Sequence, residues 1–328
     1  MKVAELLNHM DSKDSEQHIS ANLGDFQISD DATSLSLYEE QYPIDELAEN
    51  ALSSYLDISR SYLAKCPADL KAMNLRYWLN YRENAVAVLE VMDGNITGIH
   101  RPDAMLLPTK DVYQIVSRVF HPDDDVRDLR RTDQRLHLDI TTQGHHITVP
   151  NPHLEVGDVT SGGVRILAHP NEAKAPSVQT FLYRLICRNG MTSQQHDGTV
   201  RLKGHTVPEV LVELERAAQR VLSGLDDKLA SYAEMANRRV PGNPTSFVYQ
   251  LAREYGIGKR VLDRLIERAN LLPQDATLYD VQQLFTEVAN SGVSYATMLK
   301  LQTVGGSMAF ETEHVLHRCQ TCERLLPE

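Results

Sequence analysis

Apolar and polar residues alternate along the middle of this chain, and apolar residues recur every three or four positions in its last third. The pattern therefore predicts a strand-rich segment followed by a helical one. Before the strands, residues 44–58 and 67–80 have short amphipathic helix patterns, the second starting after Pro67 and closing near Trp78-Leu79. Residues 84–100 predict a hairpin, with Ala85 to Val91 and Ile96 to His100 flanking Asp93-Gly94-Asn95, a cluster that tolerates positive φ. A helix follows, with Thr109 as its expected N-cap and Val112, Ile115, Val116 and Val119 on one face before Pro122. Strands are predicted over Arg135–Thr141, His145–Val149, Gly163–Leu167, Thr180–Cys187 and Thr199–Lys203.

Past Thr206 the period becomes helical. Thr206 and Glu209 have capping-box spacing, and Val207, Val210, Leu211, Leu214, Ala218, Val221, Leu222 and Leu225 form a stripe. The pattern predicts one helix running to about Arg239, roughly 45–50 Å long at 1.5 Å per residue. That exceeds the needs of one core, so part of it is expected to pack on another subunit of a homo-oligomer. Further helices are expected to start near Pro244, Gly258, Leu278, Ser294 and Ser307. The fold class expected is α+β: an antiparallel β-rich core with a helix on one face, followed by a helical C-terminal region. The divisions expected are an acidic, flexible arm over 1–40, a core domain over 41–206, and a helical region with a zinc knuckle over 207–328.

Composition is ordinary for a globular protein, with 42% hydrophobic and 24% charged residues. No apolar run has membrane-spanning length, and the first residues lack the apolar stretch of a signal peptide, so a soluble protein of the cytoplasm, without membrane association, is expected. The four cysteines do not suggest disulfides in such a compartment. Residues 1–60 hold 13 acidic against three basic side chains, so most of the net charge of −12 resides there. Between residues 160 and 205 the balance reverses, with six basic side chains against two acidic ones. An acidic leader beside a basic sheet reads either as a solvated tail or as a nucleic-acid mimic that gates the basic surface.

The middle of the chain carries Gly162-Gly163-Val164-Arg165-Ile166 and then Phe181-Leu182-Tyr183-Arg184-Leu185-Ile186-Cys187-Arg188-Asn189-Gly190-Met191. This pattern resembles the phage- and plasmid-borne family called domain of unknown function nine-three-two. The resemblance extends upstream through Leu63 to Leu70, Asn74-Leu75, Trp78-Leu79, Leu106-Leu107-Pro108 and Tyr113, covering about two thirds of the chain. The chain departs from the family at Ala168-His169-Pro170-Asn171-Glu172, where many relatives carry Asn-Ser-Glu, so no nucleophile carries over. The resemblance implies phage or plasmid carriage in a bacterial host cell and implies no activity. The predicted order of hairpin, helix and strands is also similar in architecture to the Rad fifty-two-like single-strand annealing proteins. That second likeness implies a role in DNA recombination that needs no nucleotide.

Several residue groups are candidates for chemistry. Arg165, Arg184, Arg188, Arg201 and Lys203 fall on predicted strands, where alternate positions align guanidinium groups as phosphate contacts for single-stranded DNA. In that strand Phe181, Tyr183, Leu185 and Cys187 share the core face, leaving Leu182, Arg184, Ile186 and Arg188 on a half-apolar face that something must cover. Leu251-Ala252, Gly256-Ile257-Gly258, Leu262 and Leu265 have helix-turn-helix spacing, with Lys259, Arg260, Arg264 and Arg268 on the second helix, although a plain helical hairpin explains the same pattern. His314, His317, Cys319 and Cys322 are ligand types that suit structural zinc, with only one knuckle of conventional spacing. His137 and Asp139, with His145, His146, His153, Glu155 and Asp158 close behind, would serve a hydrolytic metal site but equally furnish a solvated sheet face.

No Walker loop, G-x-S-x-G or H-E-x-x-H motif occurs, so no catalytic residue is assigned and no nucleotide cofactor is expected. The function expected is non-enzymatic binding and annealing of single-stranded DNA. The alternatives are a regulatory factor of a mobile element that engages a host or phage protein, and a helix-turn-helix DNA-binding regulator.

Overall fold

The structure is a computed structural model. It describes residues 1–6, 16–132, 135–149, 158–168, 176–184, 189–192, 199–202, 204, 206–313 and 315–316. Strands and helices collect around three hydrophobic cores, and the fold is α+β with antiparallel sheets, as the periodicity predicts.

The first core lies between short strands and helices near the start of the chain. Strands β1 (Glu16–Asn22), β5 (Val86–Met92) and β6 (Asn95–His100) form one sheet in the order β1-β5-β6, and β2 (Phe26–Ile28), β3 (Ser34–Leu37) and β4 (Glu40–Pro43) form another. Helices α1 (Glu46–Leu56), the single turn α2 (Arg60–Leu63) and α3 (Ala68–Tyr81) close the core with Leu52, Leu63 and Leu75 against Leu23, Leu35 and Leu89. Asp45 caps α1 by accepting a hydrogen bond from the Ala48 N–H at 2.9 Å. The β5–β6 turn places Asp93 at φ 52° and Gly94 at φ 75°, the primed geometry that matches strand twist. A flexible arm through residue 40 was expected, yet residues 16–40 supply β1, β2, β3 and part of this core. The acidic side chains here, exposed Asp30 and Asp31 and half-buried Asp25, fall among buried Leu23, Phe26, Ile28 and Leu35, and that sparse alternation is what hid the strands.

The second core sits on one face of the largest sheet. Its strands β7 (Asp125–Thr132), β8 (Arg135–Val149), β9 (Asp158–Ala168), β10 (Ser177–Arg184) and β11 (Asn189–Thr192) run in the order β11-β10-β9-β8-β7, and β12 (Thr199–Arg201) pairs with β10. Leu138, Ile140, Val164, Ile166 and Val178 point from this sheet onto α4 (Thr109–Val119) and α5 (Val207–Ser223). Two predicted strands, 135–141 and 145–149, are one strand whose register against β9 shifts between Thr141 and His146. The charged sequence of β7 gave no strand signal; it is an edge strand, where charge blunts further pairing. The N-terminus also joins here, with Val3 and Leu6 buried and Lys2 paired with Asp125 at 2.9 Å.

The third core is helical: α6 (Leu225–Glu234), α7 (Pro244–Glu254), α8 (Lys259–Ala269), α9 (Leu278–Ala289) and α10 (Tyr295–Phe310) surround Tyr232, Phe247, Leu251, Phe285 and Leu301. The long helix expected from Thr206 to Arg239 is broken at Gly224. The α5 stripe is spent on the second core, whereas Leu229 and Tyr232 of α6 turn into the third. With it goes the excess length from which a subunit contact was inferred. Conversely, no helix starts at Ser307, because α10 continues through the buried pair Gly305-Gly306. No helix among the described residues is long and apolar enough to cross a membrane.

Gly163 shows how closely β8 and β9 approach. A Cβ there would lie 1.9 Å from the Ile140 carbonyl oxygen, a backbone atom with no room to yield. Gly163→Ala should therefore lower unfolding free energy by about 3 kcal/mol or more, read by urea denaturation.

Candidate nucleic-acid interface

The two helices expected on either side of Gly256 are present as α7 and α8. Asn243 caps α7 by accepting from the Ser246 N–H at 3.1 Å, and Pro244 occupies the first turn, where its missing N–H costs nothing. The helix ends as its glycine dictates. Gly256 adopts φ 61°, the Gly256 N–H bonds the Arg253 carbonyl at 3.1 Å, and the Ile257 N–H bonds the Ala252 carbonyl at 2.9 Å. These two bonds form a Schellman closure, completed by burial of Ile257 and Ala252. The turn is fastened from behind by the Tyr255 hydroxyl, 2.8 Å from Ser307 Oγ on α10. Burial raises the Tyr255 pKa above its ordinary value, so this hydroxyl stays protonated through neutral pH.

Gly258 then opens α8 without any side-chain cap. Leu265 and Ala269 of α8 are buried, and Val261, Leu262 and Ile266 pack partly buried against the helical core. On the opposite side Lys259, Arg260, Asp263 and Glu267 are exposed. The other two cations expected on this face are engaged. Arg268 pairs with Glu287, and Arg264 donates to the Ser291 carbonyl at 3.3 Å. The exposed positive charge of α8 is thereby concentrated in its first turn, which contains two cations and no acid.

The basic strip predicted on the large sheet has a different fate. Arg165, far from facing solvent, is 1% exposed, and its Nε and one terminal nitrogen each donate to an Asp139 carboxylate oxygen at 2.6 Å. Phe181 lies beneath it, the ring centroid 5.1 Å from the guanidinium carbon. Arg184 is buried on the other face of the sheet, its guanidinium 5.9 Å from the Tyr279 ring of α9, and Leu182 beside it packs into the helical core. Arg201 is exposed on β12. Arg188 and Lys203 lie outside the described residues, as do His314, His317, Cys319 and Cys322.

His137 and Asp139 do come together. His137 is fully buried, its Nδ1 hydrogen-bonds the Tyr295 hydroxyl at the start of α10, and its Nε2 stands 2.9 Å from Asp139 Oδ1 but off the N–H direction. The contact is thus an ion-pair distance rather than a hydrogen bond. Nothing in the sequence linked Tyr295 to His137, 158 positions away. Of the neighbouring candidates, His145 bonds Asp226 at 2.7 Å and His146 is exposed, while His153 and Glu155 fall outside the described residues. Each oxygen of the Asp139 carboxylate accepts one bond from Arg165, so the carboxylate serves as the counter-charge of a buried guanidinium.

Burial alone would raise the Asp139 pKa; the adjoining Arg165 charge outweighs it, helped by His137 and the two hydrogen bonds, and holds it at about 2 against an ordinary 3.8. A depressed carboxyl contributes stability that is complete above its unfolded pKa and is lost as pH falls through the folded one. Wild type should therefore lose on the order of 2 kcal/mol from this group between about pH 5 and pH 2. Asp139→Asn, which strands a buried guanidinium, should cost about 3–5 kcal/mol at pH 7 and flatten that acid limb, both read by denaturant melts across pH. Comparisons of the chain with protein-family models, with curated proteins and with solved structures found no match.

Proposed function

We propose that this chain binds nucleic acid without catalysing a reaction, and that α7 and α8 are its duplex-DNA-binding element. One observation carries the reading: Lys259 and Arg260 occupy the uncapped, exposed first turn of the second helix of a closed helix-turn-helix. Cations at a helix N-terminus oppose the helix dipole and weaken an isolated helix by about 0.3–1 kcal/mol each. The same arrangement becomes favourable when a phosphate arrives, because unsatisfied N–H groups and two positive side chains then converge on one anion. In proteins with this motif the beginning of the second helix is the part that meets the major groove. Asp263, Arg264 and Glu267 follow at helical spacing; the two carboxylates are suited to reject misplaced phosphates and to accept from cytosine amino groups.

The buried positions of Arg165 and Arg184 weigh against the single-strand annealing reading, whose aligned guanidinium strip they were to form. A regulatory role in a phage or plasmid agrees with the family resemblance and with a duplex-reading element.

The test is fluorescence anisotropy of labelled duplex and single-stranded oligonucleotides against the full chain over a salt series. Duplex binding should be salt-dependent, and Lys259→Ala with Arg260→Ala should weaken it at every sequence and lower the salt slope by about two. Binding confined to single strands, or duplex binding unchanged by this double substitution, would overturn the proposal.

A further inference from the structure

A second group of side chains lies on the β1-β5-β6 sheet, far in sequence from the helix-turn-helix. In this sheet His18 pairs with Glu90 and Glu90 in turn with Gly98. Alternation puts Ile19, Leu89 and Val91 into the first core and turns Glu16, His18 and Glu90 to the opposite face. There the three side chains each bring one ligand atom within 4.8 Å of the other two. His18 Nε2 is 3.4 Å from Glu16 Oε1, close to the spacing of about 3.3 Å between neighbouring ligands when metal bonds measure about 2.0–2.1 Å.

The surroundings hold these groups in place. Glu16 Oε2 accepts the Thr109 N–H at 2.9 Å, so the first turn of α4 orients that carboxylate and keeps Oε1 on the His18 side. Thr109, expected to cap α4 itself, is instead bonded by a residue 93 positions earlier. Glu90 is buried and hydrogen-bonded at 3.0 Å to Nε2 of buried His100. That pair needs the bare backbone of Gly98, where a Cβ would stand 2.3 Å from His100 Nε2 and 2.7 Å from Glu90 Oε2. Carboxylates that ligate a metal are themselves held by hydrogen bonds from outside the site, the place His100 takes at Glu90. His18 keeps 30% of its side chain exposed, which leaves a path for an ion and its remaining waters.

Among the described residues one other cluster has suitable ligand types, Asp128 with His137 and Asp139. It differs in one decisive respect: both Asp139 oxygens face the buried Arg165 guanidinium, whose charge repels a cation. The first cluster combines one imidazole and two carboxylates without a thiol, a donor set for zinc, manganese or ferrous iron.

We propose that Glu16, His18 and Glu90 bind a divalent transition-metal ion, with His100 as the positioning residue that orients Glu90. A hard probe distinguishes this site from thiolate ligands at Cys319 and Cys322, so the experiment is titration of the chelator-treated full chain with Mn²⁺, followed by electron paramagnetic resonance. Wild type should bind one ion per chain saturably. His18→Ala and Glu16→Gln should each weaken binding by about tenfold or more, and His100→Gln by at least about tenfold through Glu90. His18 lies on an exposed strand, so the metal-free His18→Ala protein should melt as wild type does, while wild type alone gains stability from added Mn²⁺. No saturable binding by wild type, or equal affinity in His18→Ala, would overturn the site.

Discussion

A guanidinium buried against a carboxylate between β8 and β9 sets the conditions for the large sheet. Asp139 and Arg165 are paired across the strands, and the residues on either side of each, Leu138 and Ile140, Val164 and Ile166, point into the second core. A slip of one residue would turn the ion pair into that apolar core and the aliphatic side chains out of it. Two charges removed from water are tolerable only when paired and hydrogen-bonded, so the two 2.6 Å bonds fix the register of β8 against β9 over the stretch from Leu136 to Thr141. The same network reaches the C-terminal helices, since His137 lies between Asp139 and Tyr295 of α10.

From that sheet the other parts take their places. Its even-numbered face receives α4 and α5, and farther along Gly162 and Leu182 meet α6 and the helical core. The turn between α7 and α8 is held against α10: Tyr255 is fastened to Ser307, and Lys300 donates to the Gly256 carbonyl at 3.4 Å.

Net charge is a poor guide to surface chemistry here. The chain carries −12, yet two of the arginines that made the middle segment look basic are inside the protein. What the surface offers instead is local: two exposed cations at the start of α8. Potentials at this scale depend on which charges are exposed and adjacent, and screening over about 8–10 Å removes the rest.

By itself the sequence determined whatever depends on neighbours along the chain. The hairpin at Asp93-Gly94, the helices over 46–56, 68–81 and 109–119, and the glycine-closed turn between α7 and α8 all follow from periodicity and turn chemistry within a dozen residues. Only the tertiary structure decided which polar residues are inside. Strand alternation put Arg165 opposite the aliphatic face but could not show that Asp139 would stand beside it. Likewise Glu16 and Glu90 are 74 positions apart, and no local pattern signals that β1 will pair with β5. The break at Gly224 and the folding of the acidic leader have the same origin. Helix stripes and sparse apolar residues acquire meaning only when a core, assembled from distant segments, accepts or refuses them, because burial depends on distant partners whereas backbone propensity is local.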